Sequence, residues 1–400
     1  MPVKEAKAQL AVDFCGLRFV NPFLLASGPP ASNGELIKRA FALGWAGAVT
    51  KTIGPEEMLV EDVSPRFASL RGRGGDIVAF ENIELISPRP LRVWVQEIES
   101  IKQSFPDRVL VASIMAEVEK KAWQDIAWVL QKAGADALEL NFSCPHGMPE
   151  RGMGSAIGQD EDLTRTITSW VKEAVDIPVI VKLTPNVTDI GRVARAAMEG
   201  GADGLAAINT VSALIGVDLE TLRPLPSVGG QSTFGGLSGP AVKPIGLRCV
   251  AQIAQSCDLP ISGMGGIRGW QEAVEYILLG ATTVQICTEV MIRGLGMIDT
   301  LIRGLQTYLA SKGVTSIEEL RGQALSRLTT HALLPREQRV FPVLVRERCS
   351  GCRLCVAICR DIGFAALSWS DKEGLIIDYT RCDGCSLCAN VCSAFKITGY

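Results

Sequence analysis

A surplus of positive charge, a long apolar run and a dinucleotide fingerprint are all missing from this 400-residue chain. Lysine and arginine number 40 against 43 acidic residues, for a net charge of −3, so composition gives no reason to expect nucleic acid or an anionic membrane as a partner. No stretch approaches the roughly 18 consecutive apolar residues of a membrane span, and residues 1–15 hold no apolar signal core. A reducing, cytoplasmic setting is therefore expected. The nearest thing to G-x-G-x-x-G, Gly263-Met264-Gly265-Gly266-Ile267-Arg268-Gly269, has the wrong glycine spacing. What the chain does have is 47% hydrophobic residues, 40 glycines and 13 cysteines, which describe a large core and a specialised tail.

Eight of those cysteines form two runs of C-x-x-C-x-x-C-x-x-x-C: Cys349, Cys352, Cys355 and Cys359, then Cys382, Cys385, Cys388 and Cys392. Two-cluster ferredoxins use this spacing, three thiolates of one run wrapping a four-iron cube while the fourth ligates the neighbouring cluster. One 4Fe-4S cluster is thus expected on Cys349, Cys352, Cys355 and Cys392, and the other on Cys382, Cys385, Cys388 and Cys359. Zinc would leave the third and fourth cysteine of each run surplus, and a disulfide framework would need an oxidising compartment. Arg360 and Ser393 stand where Pro usually follows the fourth cysteine, a departure that bears on the surroundings of the clusters more than on ligation.

The tail is too small to use the core, so the chain is expected to divide near Pro335, after a polar helical stretch at 316–327. Residues 1–312 form the large domain, 313–340 a connector and 341–400 a small ferredoxin-like domain. Along the first part, short β-rich apolar runs at 23–27, 46–52, 109–115, 137–143, 178–184, 204–210, 260–266 and 283–288 alternate with amphipathic stretches such as 123–133 and 163–174. Eight such alternations read as an α/β fold, a (β/α)8 TIM barrel, with a doubly wound sheet as the other option. Barrels put chemistry at the carboxyl ends of strands and bind phosphate after strands seven and eight, where Gly265, Gly266, Cys287 and Thr288 fall. Tight strand-to-helix turns would explain either segment alone; both together favour a phosphorylated cofactor.

Lys51 and Lys182 lie within apolar strand ends, where an ammonium is costly to bury unless its charge is used. A reduced flavin would supply the anion at its N1 and O2 edge, and a structural salt bridge to a neighbouring acid is the alternative. Cys144 sits in a loop beside His146, one of only two histidines. That position over a cofactor suits a thiol acting as acid or base toward a carbon centre, with His146 tuning it, orienting substrate, or merely occupying a surface loop. Cys15, Cys249, Cys257 and the Cys287 side chain read as inert packing.

Taken together, Val49-Thr50-Lys51-Thr52, Asn82-Ile83-Glu84-Leu85-Ile86-Ser87, Asn141-Phe142-Ser143-Cys144-Pro145-His146-Gly147, Lys182-Leu183-Thr184-Pro185-Asn186, Asn209-Thr210-Val211-Ser212 and Gly235-Gly236-Leu237-Ser238-Gly239 resemble the dihydropyrimidine dehydrogenase family, over nearly the whole chain. The barrel is also similar to class 1 dihydroorotate dehydrogenases. The resemblance implies an FMN barrel in which hydride passes between flavin N5 and pyrimidine C6 while a loop cysteine, by position Cys144, exchanges a proton at C5. FMN would be held by Ala26, Ser27, Lys51, Thr52, Asn141, Lys182, Asn209, Ser238, Gly239, Gly265, Gly266, Cys287 and Thr288. Substrate would meet Asn141, His146, Asn209 and Thr210. The asparagine that the family places after strand three has no counterpart at Val118 or Glu119, which leaves Glu119 as the candidate substrate contact there and widens the substrate choice.

The resemblance further implies a partner flavoprotein carrying FAD and an NAD(P)H site, in a hetero-oligomer built on a homodimer or larger. Electrons would travel singly through the clusters to reduce the C5=C6 bond of uracil or thymine. Three rival readings are an orotate or other ene-reductase site, an aldolase using a Lys182 Schiff base, and a catalytically silent electron carrier.

Overall fold

The computed structural model describes residues 9–58 and 60–398; residues 1–8 of the expected barrel segment and 399–400 of the expected tail lie outside them. The described residues form two compact units, which divide between Arg327 and Leu328.

The first unit is a closed barrel of eight parallel strands in sequence order. They are β1 (Phe23–Leu25), β2 (Gly47–Val49), β3 (Val109–Ile114), β4 (Ala137–Asn141), β5 (Val179–Lys182), β6 (Gly204–Ala207), β7 (Ile261–Met264) and β8 (Ala281–Ile286). Each overlaps one of the eight expected runs. The ring closes where β8 pairs with β1, Val284 opposite Phe23 and Ile286 opposite Leu25. These strands are buried at every position rather than at alternate ones because helices cover one face and the barrel interior the other. All six positions of β3 and of β8 are buried.

The surrounding helices are α1 (Gly34–Leu43), α2 (Leu91–Ser104), α3 (Lys120–Lys132), α4 (Glu161–Lys172), α5 (Ile190–Glu199), α6 (Lys243–Ala254), α7 (Trp270–Leu278) and α8 (Ile298–Lys312). Their starts follow local chemistry. Asn33, Asp160 and Asp189 cap α1, α4 and α5 by accepting hydrogen bonds from first-turn amides. Each helix turns an apolar stripe to the barrel, as α3 does with Trp123, Ile126, Ala127 and Leu130. Residues 313–327, expected in the connector, pack onto this unit: Ile317 and Leu320 join its core, and Ser316 bridges to Gln9.

Two insertions meet over the barrel mouth. Strands Phe67–Arg71 and Ile77–Asn82 follow β2, Val211–Ala213 and Gly235–Ser238 follow β6, and the four form one antiparallel sheet. This sheet has no place in a bare eight-fold alternation and was not anticipated from it.

The second unit pairs Phe341–Leu344 with Phe395–Thr398, and Leu367–Ser370 with Gly374–Ile377, around helices Leu354–Asp361 and Leu387–Val391. Its core is Cys355, Leu367, Leu375 and Phe395, with Cys359, Cys388 and Cys392 packed against them. Among the described residues no helix is long and apolar enough to cross a membrane.

Candidate active site

An open-mouthed cavity occupies the carboxyl end of the barrel. It is lined from β1 by Ala26 and Ser27, from β2 by Lys51 and Thr52, from β4 by Asn141 and Cys144, and from β5 by Lys182. Asn209 and Thr210 follow β6, Gly265 and Gly266 follow β7, and Cys287 and Thr288 follow β8. The mouth sheet adds Phe67, Phe80, Asn82, Ser238 and Gly239. Every expected flavin and substrate residue except Glu119 therefore meets in one space. Glu119 stands exposed at the N-terminal boundary of α3 and Val118 beside it is 44% exposed, so neither reaches the cavity.

A further amide reaches the cavity from the mouth sheet. Asn82 lines the cavity and fixes its carboxamide by donating from Nδ2 to the Gly236 carbonyl, 3.2 Å away. The run Asn82–Glu84 was visible in the sequence, but an insertion after strand two carries it, and counting along strand three could not find it.

Both strand-end lysines are buried and both have acid partners. Lys51 Nζ lies 2.9 Å from Glu84 Oε2, and Glu84 Oε1 accepts from Arg66 Nε at 3.1 Å. Lys182 Nζ lies 3.4 Å from Glu139 Oε1, and Gln285 Nε2 donates to Glu139 Oε2 at 3.0 Å. The salt-bridge alternative therefore holds, yet it does not remove the lysines from the cavity. Each pair compensates the burial of its own charges and keeps the ammonium fixed.

A hydrogen-bonded chain orders the polar floor. Thr52 Oγ1 contacts Ser113 Oγ at 2.9 Å and accepts from Asn141 Nδ2 at 2.8 Å. Asn141 Oδ1 accepts from Ser143 Oγ, also at 2.8 Å, and Ser143 Oγ accepts from Asn209 Nδ2 at the same distance. Four strand ends are thereby tied into one rigid plate.

Cys144 enters from the loop after β4, its Sγ 3.5 Å from the His146 carbonyl. Burial raises the thiol to about 11, only partly offset by that backbone contact and by Lys51 and Lys182. At neutral pH it is a protonated acid, not a thiolate. His146 is buried with Nε2 2.9 Å from the Glu84 carbonyl, so Nε2 carries the proton and donates. Burial also lowers its pKa, which keeps the ring neutral. Its Nδ1 is left buried without a partner.

The residues fit an isoalloxazine with a phosphate tail. Gln285 Oε1 is buried without a protein partner in the cavity wall. At the opposite end Gly239, Gly265 and Gly266 all have positive φ, and a Cβ on Gly266 would come within 2.8 Å of the Gly239 carbonyl. That close backbone approach leaves amides bare for an anion. Thr288 Oγ1 donates to Ser238 Oγ beside them at 2.8 Å. Arg268 lines the same end, its Nε 3.9 Å from Glu289.

The cysteine-rich unit has its own fit. Cys359, Cys382, Cys385 and Cys388 line one small cavity with apolar walls. Burial raises the Cys388 thiol to about 11, and the neighbouring Cys385, Cys382 and Cys359 push the same way. Cys355 is raised by burial, and then by Cys392 and Cys352. Cys359 thus sits with the first three cysteines of the second run, and Cys392 stands near Cys355 of the first. Among the described residues no three His, Cys, Asp or Glu side chains converge tightly enough to hold a single metal ion.

Residues 9–309 match the family model described as dihydroorotate dehydrogenase. A dihydropyrimidine dehydrogenase (NADP(+)), chloroplastic, of Arabidopsis thaliana is 44% identical over 346 residues, covering 84% of this chain and 81% of that protein. The NAD-dependent dihydropyrimidine dehydrogenase subunit PreA of Escherichia coli (strain K12) is 41% identical over 366 residues, 91% of this chain and 88% of that one. The catalytic subunit of dihydroorotate dehydrogenase B (NAD(+)) from Pyrococcus abyssi is 39% identical over 320 residues, 79% of this chain and 99% of its own length.

Proposed function

The chain belongs to the dihydroorotate dehydrogenase family, and from that premise we propose that it is the pyrimidine-reducing component of a dihydropyrimidine dehydrogenase. It would bind FMN in the barrel and two 4Fe-4S clusters in the tail, and would depend on a separate flavoprotein with FAD for electrons from NAD(P)H. The observation that carries this reading is a buried, protonated Cys144 in one cavity with the amides of Asn82, Asn141 and Asn209.

When bound, FMN would supply the hydride for C6 of the pyrimidine. The chain's own residues do the rest. Cys144 holds at Sγ the proton needed at C5, in a state that neutral water does not remove. Asn82, Asn141 and Asn209 present donor and acceptor atoms together, matching the alternating N–H and C=O groups of a pyrimidine edge. Lys51 and Lys182 place fixed positive charge where flavin reduction builds negative charge. Arg268, with the bare glycine amides and Thr288, would hold the phosphate.

The orotate alternative asks for a cation near the substrate carboxylate. Among the described cavity residues, Lys51 and Lys182 are paired with Glu84 and Glu139, and Arg268 stands at the glycine end. Uracil or thymine therefore suits the site better than orotate. The Escherichia coli relative's alignment spans more residues than the first unit holds, whereas the Pyrococcus abyssi alignment does not, so similarity in the cysteine unit also favours the dihydropyrimidine side.

The test is turnover of uracil, thymine and orotate by the purified, flavin- and iron-loaded chain with a one-electron viologen donor. Uracil or thymine is expected to be consumed and orotate spared. Faster turnover of orotate than of uracil would overturn the substrate assignment.

A further inference from the structure

The two cysteine runs repeat at a constant offset of 33 residues, from Cys349 to Cys382 and from Cys359 to Cys392. Backbone conformation repeats with them. Gly351 and Gly384 have φ of 72° and 85°, and Arg353 and Ser386 are both left-handed, at 61° and 62°, directly before helices 354–361 and 387–391. The two ligand loops are thus the same fold used twice, and side chains at matching positions stand at matching places beside their cluster.

Within the two cysteine runs, two matched positions differ in charge. Where the first loop has Ser350 the second has Asp383, and where the first has Arg353 the second has Ser386. Arg348 and Arg381 precede the first cysteine of each loop and cancel in the comparison. Arg360, after Cys359, is paired with the adjacent Asp361 at 2.9 Å. Arg353 has an exposed partner, Asp371, at 3.2 Å, and its guanidinium is anchored 5.1 Å over the Trp369 ring. Asp383 is held in its loop by accepting from the Cys385 amide at 3.1 Å.

Adding an electron to a four-thiolate cube adds one negative charge to a group that is already an anion. A nearby carboxylate opposes that step, and a nearby guanidinium assists it. Resting on the two-cluster reading above, we propose that the two cluster sites are unequal. The site of Cys349, Cys352, Cys355 and Cys392 has the higher potential and is the first to hold an electron, and Arg353 and Asp383 set the gap. Each step is a one-electron reduction of one cube, with no proton or bond exchanged, and the electron comes from an external one-electron donor.

The experiment is a potentiometric titration of the reconstituted full chain with dithionite, followed by electron paramagnetic resonance, with iron and sulfide measured on every sample. Two separated one-electron steps are expected. Arg353→Ser should lower the upper step alone, Arg353→Lys should restore it, and Asp383→Ser should raise the lower step alone. Full iron content with coincident steps would overturn the inequality, as would an Arg353→Ser variant that moves the lower step or neither. Iron and sulfide for fewer than two clusters in the reconstituted native chain would overturn the cluster reading, and this proposal with it.

Discussion

At the scale of the residue, Cys144 shows how burial chooses a chemical role. An exposed thiol titrates near neutrality's alkaline edge, but this one is pushed to about 11 by the loss of water around it. In the proposed reaction the acid form is the useful form, so activity owed to Cys144 would be lost only as pH rises through the raised pKa. The kcat/KM profile for uracil reduction should show no falling limb from this residue between pH 7 and 10. Cys144→Ala should cost roughly 10²–10⁴-fold in kcat while leaving the flavin spectrum intact; turnover within a few-fold of the native rate would mean another group delivers the proton. Arg268 is the corresponding case for binding. Its guanidinium stands at the glycine end with Glu289 no nearer than 3.9 Å. Arg268→Ala should weaken FMN binding to the flavin-stripped protein roughly 10-fold or more, by a lost charge-assisted contact, and leave riboflavin unchanged. Equal loss for both flavins in fluorescence-quenching titrations would place Arg268 away from the phosphate.

At the scale of the element, the eight barrel strands were legible because parallel strands covered on both faces are short apolar runs, and their polar terminal residues stand out against them. Lys51, Asn141, Lys182 and Asn209 could be found that way. Asn82 could not, since the mouth sheet joins two insertions more than a hundred residues apart, and no local period reveals that Gly236 lies opposite Asn82. Glu119 was reached by position along a strand, and the structure gives it to the exposed start of α3. The same sheet holds an unusual carboxyl. Glu81 is fully buried, and neither oxygen has a well-formed hydrogen bond. Burial raises its pKa to about 7, partly offset by the Ile215 backbone. Because the folded pKa lies above the unfolded one, the native state keeps a proton that the unfolded chain releases. Stability therefore falls as pH rises from about 4.5 to 7. Glu81→Gln should remove that dependence and stabilise the protein at pH 8 by on the order of 3 kcal/mol, with no gain near pH 4. Chemical denaturation at the two pH values checks this, and an equal ΔΔG at both would show that Glu81 is not the titrating group.

At the scale of the whole molecule, the proposed function pairs two-electron chemistry in the barrel cavity with one-electron transfer in the cysteine-rich unit, and the G-x-G-x-x-G spacing of a dinucleotide site appears nowhere in the sequence. A nicotinamide donates hydride and cannot itself hand single electrons to a cube, so a second flavin must split the pair before the clusters can carry it. The loaded chain alone should reduce uracil with reduced methyl viologen and show no uracil-dependent oxidation of NADH or NADPH. Adding an FAD-containing NAD(P)H reductase competent to dock should restore nicotinamide-driven turnover. Replacing Cys388 with Ser removes one thiolate of the set drawn together around Cys382, Cys385 and Cys359, and should abolish the reductase-driven reaction while the barrel keeps its flavin. Vigorous NADH oxidation by the isolated chain would mean that the barrel cavity accepts nicotinamide directly, and the clusters would then lie on an exit path for electrons rather than their entry.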